Sequence, residues 1–399
     1  MKTHDFGSYP PPHSPTSVGW TKGQSVELFS AGRPLVLEAG GVLGPVTVEY
    51  ETYGELSAAG DNAVLVCHPL SADAHVAGWD TEAQSRGWEF RQRKPGWWDT
   101  VIGPGKAIDT RRFFVVCSNV LGSCYGTTGP ASVNPQTGKP YGLTFPIVTV
   151  GDWVRLQASL LDHLGVGRLH GVVGGSLGGQ QALEWALAFP ERVERCIVLA
   201  ASPRLSATGL GFNAVGRHTI MTDPGFLGGN YYGAGPGPGN GLAAARMLAH
   251  ITYLSDEAMH AKFGRRLRGK AKPDFGFDVE YEVESYLNYQ GQTFVRRFDA
   301  NSYLYITRAM DYYDAADWGG GDLIKACSRI RAKMLLASFS SDWLYPPGEV
   351  RSLALALAAC GRPASYLDIE SRYGHDAFLV ETEQVSRILR AFLNQESAP

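Results

Sequence analysis

Three residues carry the chemistry that this chain could do: a serine, an aspartate and a histidine, in that order. Ser176 lies in Gly174-Gly175-Ser176-Leu177-Gly178, a G-x-S-x-G spacing. A serine on a sharp strand-to-helix turn crowds its neighbours, so only small residues fit around it; Gly174, Gly178 and Gly179 supply that room. The turn pushes the hydroxyl clear of the sheet. It also aims the first free amides of the following helix at any negative oxygen that forms beside the serine.

An unassisted serine hydroxyl is a poor nucleophile and needs a base. On an elbow of this kind the acid and then the histidine follow later in the chain. Asp342 stands just beyond a late apolar run, and His375 stands in the loop after the last one. Singly, Asp342 also reads as a helix cap and His375 as a surface histidine. In order and in context, the reading adopted is Ser176 as nucleophile, His375 as general base and then acid, and Asp342 as the carboxylate that orients the imidazole. Acyl chemistry also needs oxyanion donors. The backbone amides of Leu177 and, in the loop after an early strand, of Leu70 are the candidates.

These residues need a scaffold, and the pattern supplies one. Leu169 to Val173 is a short apolar run fit for a buried strand, and Gln180 to Phe189 has helical spacing and is followed by Pro190. Ala63–Cys67, 113–117, Cys196–Ala200, Met334–Ala337 and Ala364–Ile369 read as further buried strands. Residues 26–52 alternate apolar and polar positions, as an opening hairpin or meander does. Thr149 and Asp152 form a capping-box pattern ahead of a helix whose face carries Trp153, Leu156, Leu160, Leu161 and Leu164. Pro346 to Cys360 and Ala377 to Leu393 read as closing helices. Strands alternating with helices predict an α/β fold, a mostly parallel sheet with helices on both faces. The rhythm breaks from about 205 to 327, which reads as an inserted helical cap that excludes water and shapes a substrate tunnel. The expected organisation is a tail over 1–20, a core domain over 21–204 and 328–399, and the cap over 205–327. There is no internal repeat.

Composition narrows the class. The chain has 399 residues, 44% of them hydrophobic, which is ample for one large core. A formal net charge of −3 gives no sign of a nucleic-acid or membrane partner. No apolar run approaches the roughly 20 residues that span a bilayer. The first 21 residues are rich in Pro, Ser and His, lack the apolar core of a signal peptide and read as a disordered tail. Six scattered cysteines read as buried thiols in a reducing cytoplasm, where the protein is expected.

Two further clusters of polar residues stand out. His68, Asp73, His75 and Asp80 could suggest a metal, but no close-spaced ligand motif joins them, and a hydrogen-bonded turn is the reading adopted, with no metal. Arg265, Arg266, Arg268, Lys270 and Lys272 could touch coenzyme A phosphates; a solvated helix end is the plainer reading.

The motifs together resemble the homoserine O-acyltransferase family of the α/β-hydrolase type, most of all its acetyltransferases. The resemblance rests on His68-Pro-Leu-Ser-Ala-Asp-Ala-His75, the Asn119–Pro130 loop, Gly174–Gln180, Ala245-Arg-Met247, Phe339–Pro347 and Tyr373–Phe378, and it spans the chain from about residue 18. It implies that an acyl-CoA acylates Ser176 and that the acyl group then passes to L-homoserine, in methionine biosynthesis. It implies that Arg246 holds the homoserine carboxylate, for which a guanidinium fork is suited, and that Asp376 holds the amino group. It also implies a homodimer; Tyr281, Tyr286, Leu287 and Tyr289 could be its apolar stripe, although core packing is the plainer reading of that stripe. Acetyl-CoA is a co-substrate in this reading, and no cofactor is bound. Pro69 stands where the family usually has Ala, and Ser123 where it more often has Gly. Succinyl-using relatives tend to carry an Arg after the Asp-Trp of the triad loop. Here that position is Leu344, so the expected donor is acetyl-CoA, with succinyl-CoA as donor or L-serine as acceptor the alternatives. An esterase of the same fold is the rival, since only the acceptor separates the two.

Overall fold

Eight strands pair edge to edge into one twisted sheet in the computed structural model, which describes residues 11–362 and 364–395. In chain order they are β1 (Gln24–Leu28), β2 (Val46–Tyr53), β3 (Ala63–Cys67), β4 (Phe114–Ser118), β5 (Leu169–Gly175), β6 (Arg195–Leu199), β7 (Lys333–Phe339) and β8 (Ala364–Ile369). In space they run β1-β2-β4-β3-β5-β6-β7-β8. The pairs from β4 to β8 are parallel, and β2 is antiparallel to both of its neighbours. Strands β3 and β6 are buried throughout, as near-continuous apolar runs in a two-sided parallel sheet must be.

Helix α1 (Val150–His163) starts at the capping box that its sequence announces. The Thr149 hydroxyl accepts from the Asp152 amide at 3.1 Å, and the Asp152 carboxylate accepts from the Thr149 amide at 2.9 Å. Trp153 is buried and donates to the Leu121 carbonyl at 2.8 Å. Helix α2 (Leu177–Ala188) begins directly after Ser176, three residues earlier than the apolar spacing indicates. Gly178 and Gly179 are weak helix formers, which hides that first turn from a reading by propensity. Packing requires them: a Cβ at Gly178 would meet the Cys67 carbonyl oxygen at 2.1 Å, and one at Gly174 would meet the Gly178 carbonyl oxygen at 2.0 Å. Backbone therefore lies on backbone where α2 crosses β3 and β5.

Between β6 and β7 the named elements are all helical: α3 (Ala207–Met221), α4 (Gly239–Tyr253), α5 (Asp256–Lys262), α6 (Glu282–Val295), α7 (Ala300–Tyr312) and α8 (Leu323–Cys327), with 3-10 turns at Pro224–Gly229 and Ala315–Gly319. Helix α4 packs between α3 and α6. After β7 come α9 (Pro347–Ala359), α10 (Ala377–Val380) and α11 (Thr382–Leu393). The single closing helix expected over 377–393 is thus two, broken at Glu381, whose ψ of 51° leaves the helical range. The expected tail needs a second correction. Residues 1–10 lie outside the described residues, but Trp20–Thr21 pairs with Trp79–Asp80, and the Trp79 amide donates to the Gly19 carbonyl at 3.0 Å. Backbone bonding holds that part of the chain despite its polar, Pro-rich composition.

Among the described residues no helix is long and apolar enough to cross a membrane. Cys67, Cys117, Cys196 and Cys327 are buried, and all six cysteines are free thiols.

The contact of α2 on β3 can be tested directly. Gly178→Ala should cost about 1–3 kcal/mol or more, since backbone faces the added methyl. Gly167→Ala, where a Cβ meets nothing within 4 Å, should leave stability unchanged. Thermal melts followed by circular dichroism separate the two, and equal melting temperatures would contradict the packing.

Candidate active site

Ser176 occupies the turn between β5 and α2 with φ 57° and ψ −128°, a conformation that a residue with a side chain rarely adopts. It is held by the Ser176 amide, which donates to the Leu199 carbonyl at 2.9 Å, and by the Gly179 and Gln180 amides, which bond to the Ser176 carbonyl. The hydroxyl is thereby presented above the C-terminal edge of the sheet.

His375 reaches this hydroxyl from the turn after β8. Its Nε2 lies 2.8 Å from Ser176 Oγ, and its Nδ1 lies 2.8 Å from Asp342 Oδ2. The other oxygen of Asp342 accepts the Leu344 and Tyr345 amides at 3.0 and 2.9 Å, so the carboxylate is fixed from both sides. All three groups are buried. Burial opposes protonation of the His375 imidazole, but Asp342, with help from Asp376, outweighs it and holds the pKa above the ordinary value. The structure thus joins the three residues that the sequence singles out, from elbow, β7 turn and β8 turn.

The Leu70 and Leu177 amides have no acceptor among the described residues. Leu177 opens α2, where free amides are expected. Leu70 lies in the loop after β3, and its side chain joins Ser176 in lining a small cavity of about 50 Å³. That loop is tied down on several sides. His68 Nε2 accepts the Val120 amide at 3.2 Å, Asn119 accepts the Ala74 amide at 2.8 Å, and Gln181 of α2 donates to the His68 carbonyl at 3.2 Å. Burial, the leading influence on His68, lowers its pKa and so favours the neutral ring that accepting this bond requires. The Pro69 position, unusual by resemblance, sits inside this braced turn, and its carbonyl accepts the Ala72 amide at 3.0 Å.

The His68, Asp73, His75 and Asp80 group is engaged in this bracing. Arg91 bridges Asp73 and Asp80 at 2.9 Å each, and His75 bonds to Glu51 at 3.1 Å. Among the described residues no cluster is arranged to hold a metal ion. The basic run lies on exposed turns between α5 and α6, with Arg266 paired to Glu282 and Lys270 to Asp274.

The cap closes over Ser176. Phe212 and Asn213 of α3, Ala245, Leu248 and Tyr253 of α4, and Met310 of α7 line the cavity with Leu70, Leu344 and Tyr345. Arg246 projects from α4 over the rings of Tyr253 and Phe294, with its guanidinium carbon 5.3 and 4.7 Å from their centroids. Asp376 follows His375 directly. Burial raises its pKa, while His375 and Arg246 pull it down. Two aromatic residues stand beside the triad. Tyr345 stacks on the His375 ring at 5.1 Å, and Tyr253 lies 6.0 Å from it. Tyr345 was visible in its motif, but nothing local marks a ring that stacks on a histidine thirty residues away.

Comparison with known proteins places this geometry among relatives. Residues 62–382 match the α/β-hydrolase fold family. A homoserine O-succinyltransferase of Acidithiobacillus ferrooxidans is 52% identical over 379 residues, 95% of this chain and 96% of its own. A homoserine O-acetyltransferase of Rhodopseudomonas palustris is 51% identical over 368 residues, 92% of this chain and 90% of its own. The crystal structure of a homoserine O-acetyltransferase from Bacillus anthracis matches with a TM-score of 0.86 at 30% identity, covering 95% of this chain and 99% of its own. Esterase E22 matches with a TM-score of 0.83 at 30% identity, covering 94% and 100%.

The hydrogen bonds at His375 predict a pH profile. The imidazole must be neutral to take the serine proton, so the rate on p-nitrophenyl acetate should fall as pH drops through the His375 pKa. The midpoint of that acid limb should lie above the ordinary 6.5. Asp342→Asn removes the charge that raises this pKa. The limb should move to lower pH and the rate should fall about 10⁴-fold. An acid limb that stays in place would show that Asp342 does not act on His375.

Proposed function

The chain belongs to the homoserine O-acyltransferases of the α/β-hydrolase fold, and from that premise we propose that it moves an acetyl group from acetyl-CoA to L-homoserine through an acetyl-Ser176 intermediate. His375 Nε2 takes the Ser176 proton as Oγ attacks the thioester carbonyl. The Leu70 and Leu177 amides receive the negative oxygen. Collapse breaks the carbon–sulfur bond, and the thiolate leaves with the proton from His375. The homoserine hydroxyl then gives its proton to His375 and attacks the acetyl ester, and a second collapse returns the proton to Ser176. Arg246 holds the acceptor's carboxylate, and Asp376, next to His375 in the chain, holds its ammonium group. The scheme uses no cofactor beyond the co-substrate acetyl-CoA. The cytoplasmic setting and the homodimer implied by resemblance belong to the same reading.

The cavity wall beside Ser176 carries the donor assignment. Among the described residues its lining contains no charged side chain, and Leu344 occupies the position after Asp342-Trp343. A succinyl group would bring a second carboxylate against that uncharged wall, and burying a carboxylate there unpaired is costly. The succinyl reading has the names of several relatives in its favour, the 52% identical Acidithiobacillus protein and a 56% identical protein of Halorhodospira halophila among them. Hydrolysis has the fold of esterase E22.

Thiol release distinguishes all three. Acetyl-CoA or succinyl-CoA is supplied with L-homoserine, L-serine or no acceptor. Release should be fastest with acetyl-CoA and should require homoserine, and Leu344→Arg should shift the donor ratio toward succinyl-CoA. Equal release without acceptor would mean that water is the acceptor. Faster release with succinyl-CoA would overturn the donor assignment. In acceptor-free protein, intact mass should rise by one acetyl group on Ser176 and stay unchanged in Ser176→Ala.

A further inference from the structure

Arg246 has a companion. Arg297, in the turn after α6, donates from Nη1 to the Ser71 carbonyl at 2.8 Å and to the Tyr125 hydroxyl at 3.1 Å. Tyr125 in turn donates to the Arg297 carbonyl at 2.7 Å, which fixes the arginine at both ends. Arg246 Nη1 lies 3.4 Å from Ser71 Oγ. Two guanidiniums thus meet on one residue, and that residue follows Leu70. The ring of Phe294 flanks both, 4.7 Å from the Arg246 carbon and 5.1 Å from that of Arg297.

Neither arginine forms an ion pair with a carboxylate among the described residues. The positive field is felt nearby. His250, buried on α4, is pushed down to about 2 by burial and by Arg246, Lys262 and Arg297. Aromatic faces ease such a convergence of like charges but do not cancel it, whereas an anion seated between the forks does. The anion must be small and close to the reacting carbon, because Ser71 adjoins the oxyanion loop. A phosphate of acyl-CoA lies a whole pantetheine arm from the thioester and cannot reach Ser71 while the carbonyl is at Ser176.

We propose that Arg297 is the second half of the acceptor's carboxylate clamp, so that the carboxylate binds between Arg246 and Arg297. Since both forks rest on Ser71, the same binding steadies the turn that carries the Leu70 amide. The proposal rests on the reading of the acceptor as an amino alcohol bearing a carboxylate.

The test compares L-homoserine with 3-aminopropan-1-ol, the same acceptor without its carboxylate, in the full-length protein, Arg297→Ala and Arg297→Lys. In a two-step transfer kcat/KM for the acceptor reports the second half alone. The ratio of kcat/KM for homoserine to that for 3-aminopropan-1-ol should fall at least about tenfold in Arg297→Ala, through KM for homoserine. Arg297→Lys should give an intermediate ratio, since it keeps the charge and loses the fork. An arginine that only braces the Ser71 turn would slow both acceptors alike, and an unchanged ratio in both variants overturns the proposal. Should Arg297→Ala fail to fold, the lysine variant alone decides. If the unsubstituted protein itself does not prefer homoserine over 3-aminopropan-1-ol, the underlying acceptor reading fails first.

Discussion

The bend at Ser176 depends on bare backbone. A non-glycine residue with positive φ persists only where its surroundings leave no other choice. Here α2 starts without a linker and lies on the ends of β3 and β5 closely enough that Gly174 and Gly178 have no space for a methyl group. The same closeness sets the first turn of α2 against Cys67 and His68, which lead into the Leu70 loop. The strained turn and the presentation of the Ser176 hydroxyl are therefore one packing event. Loosening either contact would relax the other.

From that bend the polar interior spreads by consecutive hydrogen bonds. Trp185 donates to Gln157 at 2.7 Å, Gln157 donates to Gln181 at 2.9 Å, and Gln181 donates to the His68 carbonyl. Helices α1 and α2 are thus coupled to the loop after β3 through side chains that are otherwise surrounded by apolar residues. A buried amide without a partner is costly, so each member holds its neighbours in a single arrangement. The triad has the same character. His375 has both ring nitrogens occupied, and Asp342 has both oxygens occupied.

The elbow, the triad and its order were legible because each lies in a short motif whose chemistry and geometry coincide. The parallel sheet was legible from apolar runs such as Ala63–Cys67. The first turn of α2 was not, because Gly178 and Gly179 are chosen for clearance and contradict helix propensity. Arg297 gave no signal, since its partners Ser71 and Tyr125 lie 226 and 172 residues away. The anchoring of Trp20 beside Trp79 was hidden for the same reason: pairing of two-residue edge segments leaves no periodicity to read.

The cap interrupts the sheet between β6 and β7, and this sets an order of events during synthesis. Ser176 and its elbow emerge with the first six strands. The base and the acid arrive only with β7 and β8, after the whole cap has been made. A growing chain therefore carries Ser176 without Asp342 or His375 for more than a third of its length. Domains generally fold as units, so the sheet waits for its last two strands. Ser176 accordingly has neither of the partners that complete its hydrogen-bonded triad until the last two strands have been made.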